Sequence, residues 1–149
     1  MLAPYVRGFL RAGLVWLVIG VAIGVGMAWW PAGHLAYRPA HAHANLLGFV
    51  SMFLFGVGYH VLPRFVGKPL SEGQARWATR QLWIQNSGLT LMVAGWLTRP
   101  WRGGLGQGLL TVGAPVSVLG LGIFVVIAWR LSGASGGADS RPTASGPRP

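Results

Sequence analysis

Cysteine is missing from the 149 residues, and acid is nearly missing: Glu72 and Asp139 stand against twelve Lys and Arg. Without cysteine there is no disulfide framework, no thiolate metal site, no CxxC redox pair and no CxxCH attachment for covalent haem. Charged side chains make up 9% of the chain, where a soluble domain carries about a quarter. A water-soluble globule with a small core and a charged shell is therefore excluded. The spans described below contain no carboxylate to relay protons, which argues against a proton pump. What is present is apolar: 52% hydrophobic residues, with 24 glycines and eight tryptophans. The net charge of +10 raises the question of nucleic acid. Its basic residues lie between long apolar runs, so a lipid bilayer is the partner expected, with no nucleic acid.

Crossing a hydrocarbon core of about 30 Å takes roughly 20 apolar residues in a helix. Four runs qualify, at about 12–30, 41–62, 81–98 and 109–129. The third is the most polar, with Gln81, Gln85, Asn86, Ser87 and Thr90. Pro115 is expected to kink the fourth. No ten-residue alternating strands suggest a barrel. The first run is longer than a signal-peptide core and ends in Trp29-Trp30-Pro31, so it is expected to be retained. The fold class expected is all-α: an integral membrane four-helix domain over 1–131, followed by a disordered Gly/Ser/Pro-rich cytoplasmic tail, 132–149.

Arg7, Arg11, Arg64, Lys68, Arg76, Arg80, Arg130, Arg141 and Arg148 fall on one side of this topology, and Arg38, Arg99 and Arg102 on the other. The positive-inside bias then places both termini in the cytoplasm of a bacterial-type inner membrane. The start of the second helix lies at the outer face. Gly20 and Gly24 form a GxxxG, and eight further glycines follow within the spans, as expected where helix backbones pack closely in lipid.

All four histidines fall between residues 34 and 60. An ionisable group within a span is a functional-site hypothesis by default. His41 and His43 project about 200° apart on a helix, so one metal ion bound by both is awkward, and two ligands reaching into different gaps fit better. Under His41, at i+4, i+7 and i+11, lie Asn45, Gly48 and Met52, with Gly48 leaving room for something flat. Under His43 lie Leu47, Val50 and Leu54, an apolar wall. Neutral imidazole in apolar surroundings is a good axial ligand for haem iron, provided its second nitrogen finds a hydrogen-bond partner.

The stretch YRPAHAHANLLGFVSMFLFGVGYHVLPRF resembles the second transmembrane helix of haem-copper oxidase subunit I, in the branch of cbb3-type oxidases and nitric oxide reductases. Arg38-Pro39 precedes, His43-Ala44-Asn45-Leu46-Leu47 supplies an H-x-N-L-L, and Tyr59 with Pro63-Arg64 closes it. Counting from Arg38-Pro39 selects His41, and counting from Asn45 selects His43. The resemblance implies an axial ligand of a low-spin haem near the outer face. It covers about 30 residues, and the chain is long enough for one of the three four-helix arcs of that subunit. The later helices with copper-ligating histidines are lacking, so oxygen or nitric oxide reduction at a haem-copper centre is not expected. His41-Ala42-His43 also resembles the family's H-x-H in which two histidines serve two haems.

These observations lead to a homotrimer, with a dimer as rival, in which each second helix gives His41 to one intersubunit haem b and His43 to the next. Arg38, Arg99 and Arg102 are the cations available for the propionates, Arg38 being favoured because it lies one turn from His41; each also suits a snorkelling interfacial residue. His60, about 25 Å along the helix from His43, belongs to another place and suits an inner-interface histidine better than a second ligand site. His34 suits a solvated loop better than an extra metal. Met52 suits packing, and Gln85 and Asn86 suit hydrogen bonds between helices. Bis-His iron has no open position, so the function expected is electron transfer, with quinol or a periplasmic carrier as partner. The alternatives are a haem-based sensor of NO or O2 with five-coordinate iron, and a copper- or zinc-binding membrane protein using His34, His41 and His43. A third is a cofactor-free accessory subunit of a respiratory complex. CO binding, elemental analysis and partner capture discriminate among them.

Overall fold

The computed structural model of the protein describes residues 2–30 and 34–133. These form four helices and no strands: α1 Pro4–Trp29, α2 His34–Phe65, α3 Glu72–Thr98 and α4 Gly103–Gly133. α1, α2 and α4 are each long and apolar enough to cross a membrane. α3 has the length, at 27 residues, but carries the buried Gln81 and Gln85. The helices extend beyond the apolar runs that announced them. α4 continues through Ser132 and Gly133, so these two residues are helix and not tail; the remainder of the expected tail, 134–149, lies outside the described residues.

The ends follow local chemistry. Pro4 opens α1 at its first turn, where its missing N–H costs nothing. α2 stops at Gly67, whose φ of 64° is a left-handed conformation that glycine adopts freely. Ser71 and Gln74 form a reciprocal capping box at the start of α3. Pro39, Pro63 and Pro115 lie within helices.

The chain runs up and down, so one end of the bundle bears both described termini and the α2–α3 loop, and the other bears His34 and the α3–α4 turn. At the terminal end, an aromatic cluster of Tyr5, Phe9, Phe55, Tyr59 and Phe124 fills the core, with ring centroids 4.8–5.9 Å apart. Tyr59 donates to Gln81 Oε1. Leu14, Val15, Val18 and Val21 on α1, and Val118, Leu119, Leu121 and Val125 on α4, point outward. Apolar surface of that extent is what lipid covers and water does not. The chain is a multi-pass membrane protein.

Glycine decides how closely α3 and α4 approach. Gly88 and Gly95 on α3 face Gly113 and Gly106 on α4, and Gly120 meets Gln85; within each helix these glycines are spaced by seven residues. A Cβ at Gly88 would fall on the Ser117 backbone, and one at Gly113 would meet Met92 N and Gly88 O at 2.8 Å. A seven-residue repeat keeps one seam facing its partner in a left-handed pair.

Candidate haem-ligand site

α2 is not uniform. Ala44–Val50 is π-helical, and Ser51 Oγ donates to Leu46 O five residues back at 2.9 Å. A π stretch packs more residues into each turn and is frequent at functional sites. It begins directly after His43.

The two histidines leave α2 on different sides, as their spacing requires. His41 turns toward α1, where its Nδ1 lies 2.8 Å from Gly20 O. Gly20 and Gly24 make the space: a Cβ at Gly24 would meet the His41 ring at 2.9 Å, and one at Gly20 would meet Asn45 at 2.5 Å. Asn45 Nδ2 donates to His41 O at 2.9 Å and so stays beside the ring. His43 turns toward α3 and α4, with Nδ1 2.7 Å from Pro39 O. A carbonyl only accepts, so Nδ1 carries a proton in both rings, which in the neutral imidazole leaves the lone pair on Nε2. Neither Nε2 is enclosed without a partner. An outer-nitrogen donor tied by the other nitrogen to a backbone carbonyl is the form in which histidine ligates a metal.

His43 stands in the wall of an open recess of about 310 Å³ with Met92 and Trp96 of α3, Arg99 capping that helix's C-terminus, and Gln107, Leu110, Thr111 and Ala114 of α4. Met92, Trp96 and Arg99 lie at i, i+4 and i+7, and the α4 group at i, i+3, i+4 and i+7, so each set follows one helix face. Trp96 lies 6.3 Å from the His43 ring, centroid to centroid. Its Nε1 is enclosed without a hydrogen-bond partner, and the Arg99 guanidinium sits 5.1 Å over its ring. An apolar slot, one imidazole lone pair, a cation and an unused N–H donor suit a flat ligand with carboxylate tails.

The face beneath His43 differs from the expected wall. Leu47, Ser51 and Phe55 line the next cavity along, with Gln85, Met92 and Ser117, while Val50 and Leu54 point outward. The cause is the π segment, which shifts the shared face from steps of three and four to steps of four. Gly48 is corrected too: the flat group beside it is the Trp16 indole of α1, whose Cβ and Cγ lie 2.6 Å from where a Gly48 Cβ would be. Trp16 Nε1 then donates to Asn86 Oδ1 at 2.9 Å, and Gln85 Nε2 to Ser117 Oγ at 2.8 Å. Both bonds join helices, as expected for Asn86 and Gln85. Met52 is fully buried packing.

Of the three cations, Arg99 lines the recess, whereas Arg38 and Arg102 are exposed and outside its wall. His34 is exposed, and His60 is half-buried with its carbonyl accepting from Arg64 Nη1 at 2.8 Å. No three His, Cys, Asp or Glu side chains come together as a metal site among the described residues. His34, His41 and His43 do not converge within one chain, because His41 and His43 diverge around α2. The sequence reading missed Met92, Trp96 and Gln107; their signal was the shared helical face with Arg99, obscured by tryptophan's usual interfacial role.

Sixty residues, 40% of this chain, are 32% identical to a cytochrome c oxidase subunit 1 of Thermus thermophilus, of which they cover 56%. A second Thermus thermophilus cytochrome c oxidase subunit 1 matches at 32% over 60 residues, which cover 11% of it. The chain thus spans about half the length of the first relative and about a tenth of the second. No family model and no solved structure match the chain. The chain resembles haem-copper oxidase subunit I.

Proposed function

We propose that the chain is a membrane b-type haem protein that carries electrons, with its haem near the outer face and both termini in the cytoplasm of a bacterial inner membrane. One observation carries the reading: both His41 and His43 commit Nδ1–H to a backbone carbonyl and hold Nε2 free, on opposite sides of α2. A single chain cannot bring those two lone pairs to one iron. A closed homotrimer does, each gap taking His43 from one copy and His41 from its neighbour. The haem would supply a reversible one-electron couple. The cbb3-type and nitric oxide reductase branch is the relative favoured, on Arg38-Pro39 and His43-Ala44-Asn45.

The chain's own residues divide the work. Pro39 O and Gly20 O hold the two rings in one tautomer and raise their basicity as ligands. Asn45, between His41 and Gly20, fixes the first ring's depth. Arg99 and Trp96 Nε1 would serve the propionate carboxylates, and Met92, Leu110 and Ala114 would exclude water from the ring faces. A haem held by one imidazole from each of two chains would leave no site for a gas, so quinol or a periplasmic carrier is the partner class.

The test is a reduced-minus-oxidised spectrum with haem per chain for the wild type, His41→Ala and His43→Ala. Narrow b-type bands at about one haem per chain, damaged by either substitution, are expected. Loss with His43→Ala alone, together with ready CO binding, replaces this reading by a five-coordinate sensor. A colourless protein from haem-supplied cells overturns the haem reading altogether.

A further inference from the structure

A second recess lies apart from the histidine site: an open apolar groove of about 600 Å³ between α3 and α4 at the terminal end of the bundle. Val118, Gly122, Val126 and the buried Ile127 line it along α4, and Gln74, Trp77 and Arg130 line its end. The twelve helical steps from Val118 to Arg130 cover about 18 Å, close to the thickness of one leaflet, about 15 Å. The apolar wall therefore runs from near mid-membrane to the interface, and the polar residues stand where a headgroup would lie.

Charge selects the occupant. Glu72 is the one acidic side chain among the described residues. Arg130 is exposed at the groove mouth. Arg80 stacks over Trp77 at 4.9 Å, adding a second cation beside the same mouth. Gln74 Oε1 is committed to Ser71 N in the capping box, so the free polar groups there are donors. An apolar slot one leaflet deep, ending at the Arg130 guanidinium with no carboxylate in its lining, takes a molecule with an acyl chain and an anionic head.

We propose that the α3–α4 groove is a binding site for an anionic phospholipid of the leaflet on the terminal side, with one acyl chain along Val118–Val126 and its phosphate at Arg130. The glycine at position 122 is part of the site. Nothing lies within 4 Å of a Cβ placed there, so its lack of a side chain keeps the slot open and serves no helix contact.

The experiment titrates delipidated, detergent-purified protein with phosphatidylglycerol or phosphatidylcholine and counts bound lipid by native mass spectrometry. The wild type is expected to take one phosphatidylglycerol per chain in preference to phosphatidylcholine. Arg130→Gln weakens phosphatidylglycerol about fivefold, the effect of one interfacial cation, and leaves phosphatidylcholine unchanged. Arg130→Lys restores most of that preference. Gly122→Phe fills the slot and lowers both lipids, with helix content as its folding check and Gly122→Leu as its replacement if helix is lost. Equal binding of the two lipids by the wild type, or an Arg130→Gln variant that keeps its preference, overturns the proposal. So does a Gly122→Phe variant that breaks the oligomer while binding lipid normally, because the groove would then belong to a second copy.

Discussion

His41 and His43 are two residues apart and have different neighbours, because a helix sends such a pair to nearly opposite sides. That divergence was legible in the sequence. The partners were not: Gly20 O belongs to another helix, and Pro39 O is a local carbonyl that any of several rotamers would miss. Trp16 shows the same limit. In the sequence it is one interfacial aromatic among eight; in the bundle it is 6% exposed, its ring against Gly48 and its Nε1 donating to Asn86. Replacing Asn86 by Ala leaves that donor without an acceptor in an apolar interior. A loss of about 1–3 kcal/mol is expected, measured as a lower melting point in detergent, with Asn86→Asp retaining more stability than the alanine variant because it keeps the acceptor.

At the scale of the elements, periodicity announced four helices and local chemistry set their ends, so the order of elements was readable in advance. The π segment was not. It depends on the i→i+5 bonding of Ala44–Val50 and on the Ser51 side chain reaching Leu46 O, which no apolar pattern encodes. Its consequence is the exchange of Val50 and Leu54 for Ser51 and Phe55 on the groove side of α2. The glycine seam between α3 and α4 was half legible: the glycines were noted as packing residues, while their spacing of seven became meaningful once the two helices lay side by side. Gly88→Ala forces the Ser117 backbone away and is expected to cost about 1–3 kcal/mol by overpacking. Gly108→Ala, with nothing within 4 Å of its Cβ, is expected to be neutral or to stabilise by up to about 1 kcal/mol through helix propensity. Thermal unfolding of the two variants side by side checks both.

For the whole molecule, the exposed apolar faces of α1 and α4 describe a chain completed by lipid, and the proposed function adds other copies of itself at the open histidine recess. A trimer bound through shared haem predicts a native mass of three chains of 15.9 kDa each with one haem per chain. His43→Ala is then expected to lose haem and trimer together; a haem-free protein that remains trimeric would separate assembly from ligation. The membrane class, the all-helical fold and the two histidines were determined by the sequence itself, because a bilayer demands long apolar helices and makes each ionisable group within them conspicuous. Which side chains meet those histidines was decided only by the tertiary structure. Trp96, Arg99 and Gln107 reach the His43 recess from two other helices, and their arrival depends on glycine-set distances between backbones. Distance between elements is a property of packing, and the pattern along a single helix does not contain it.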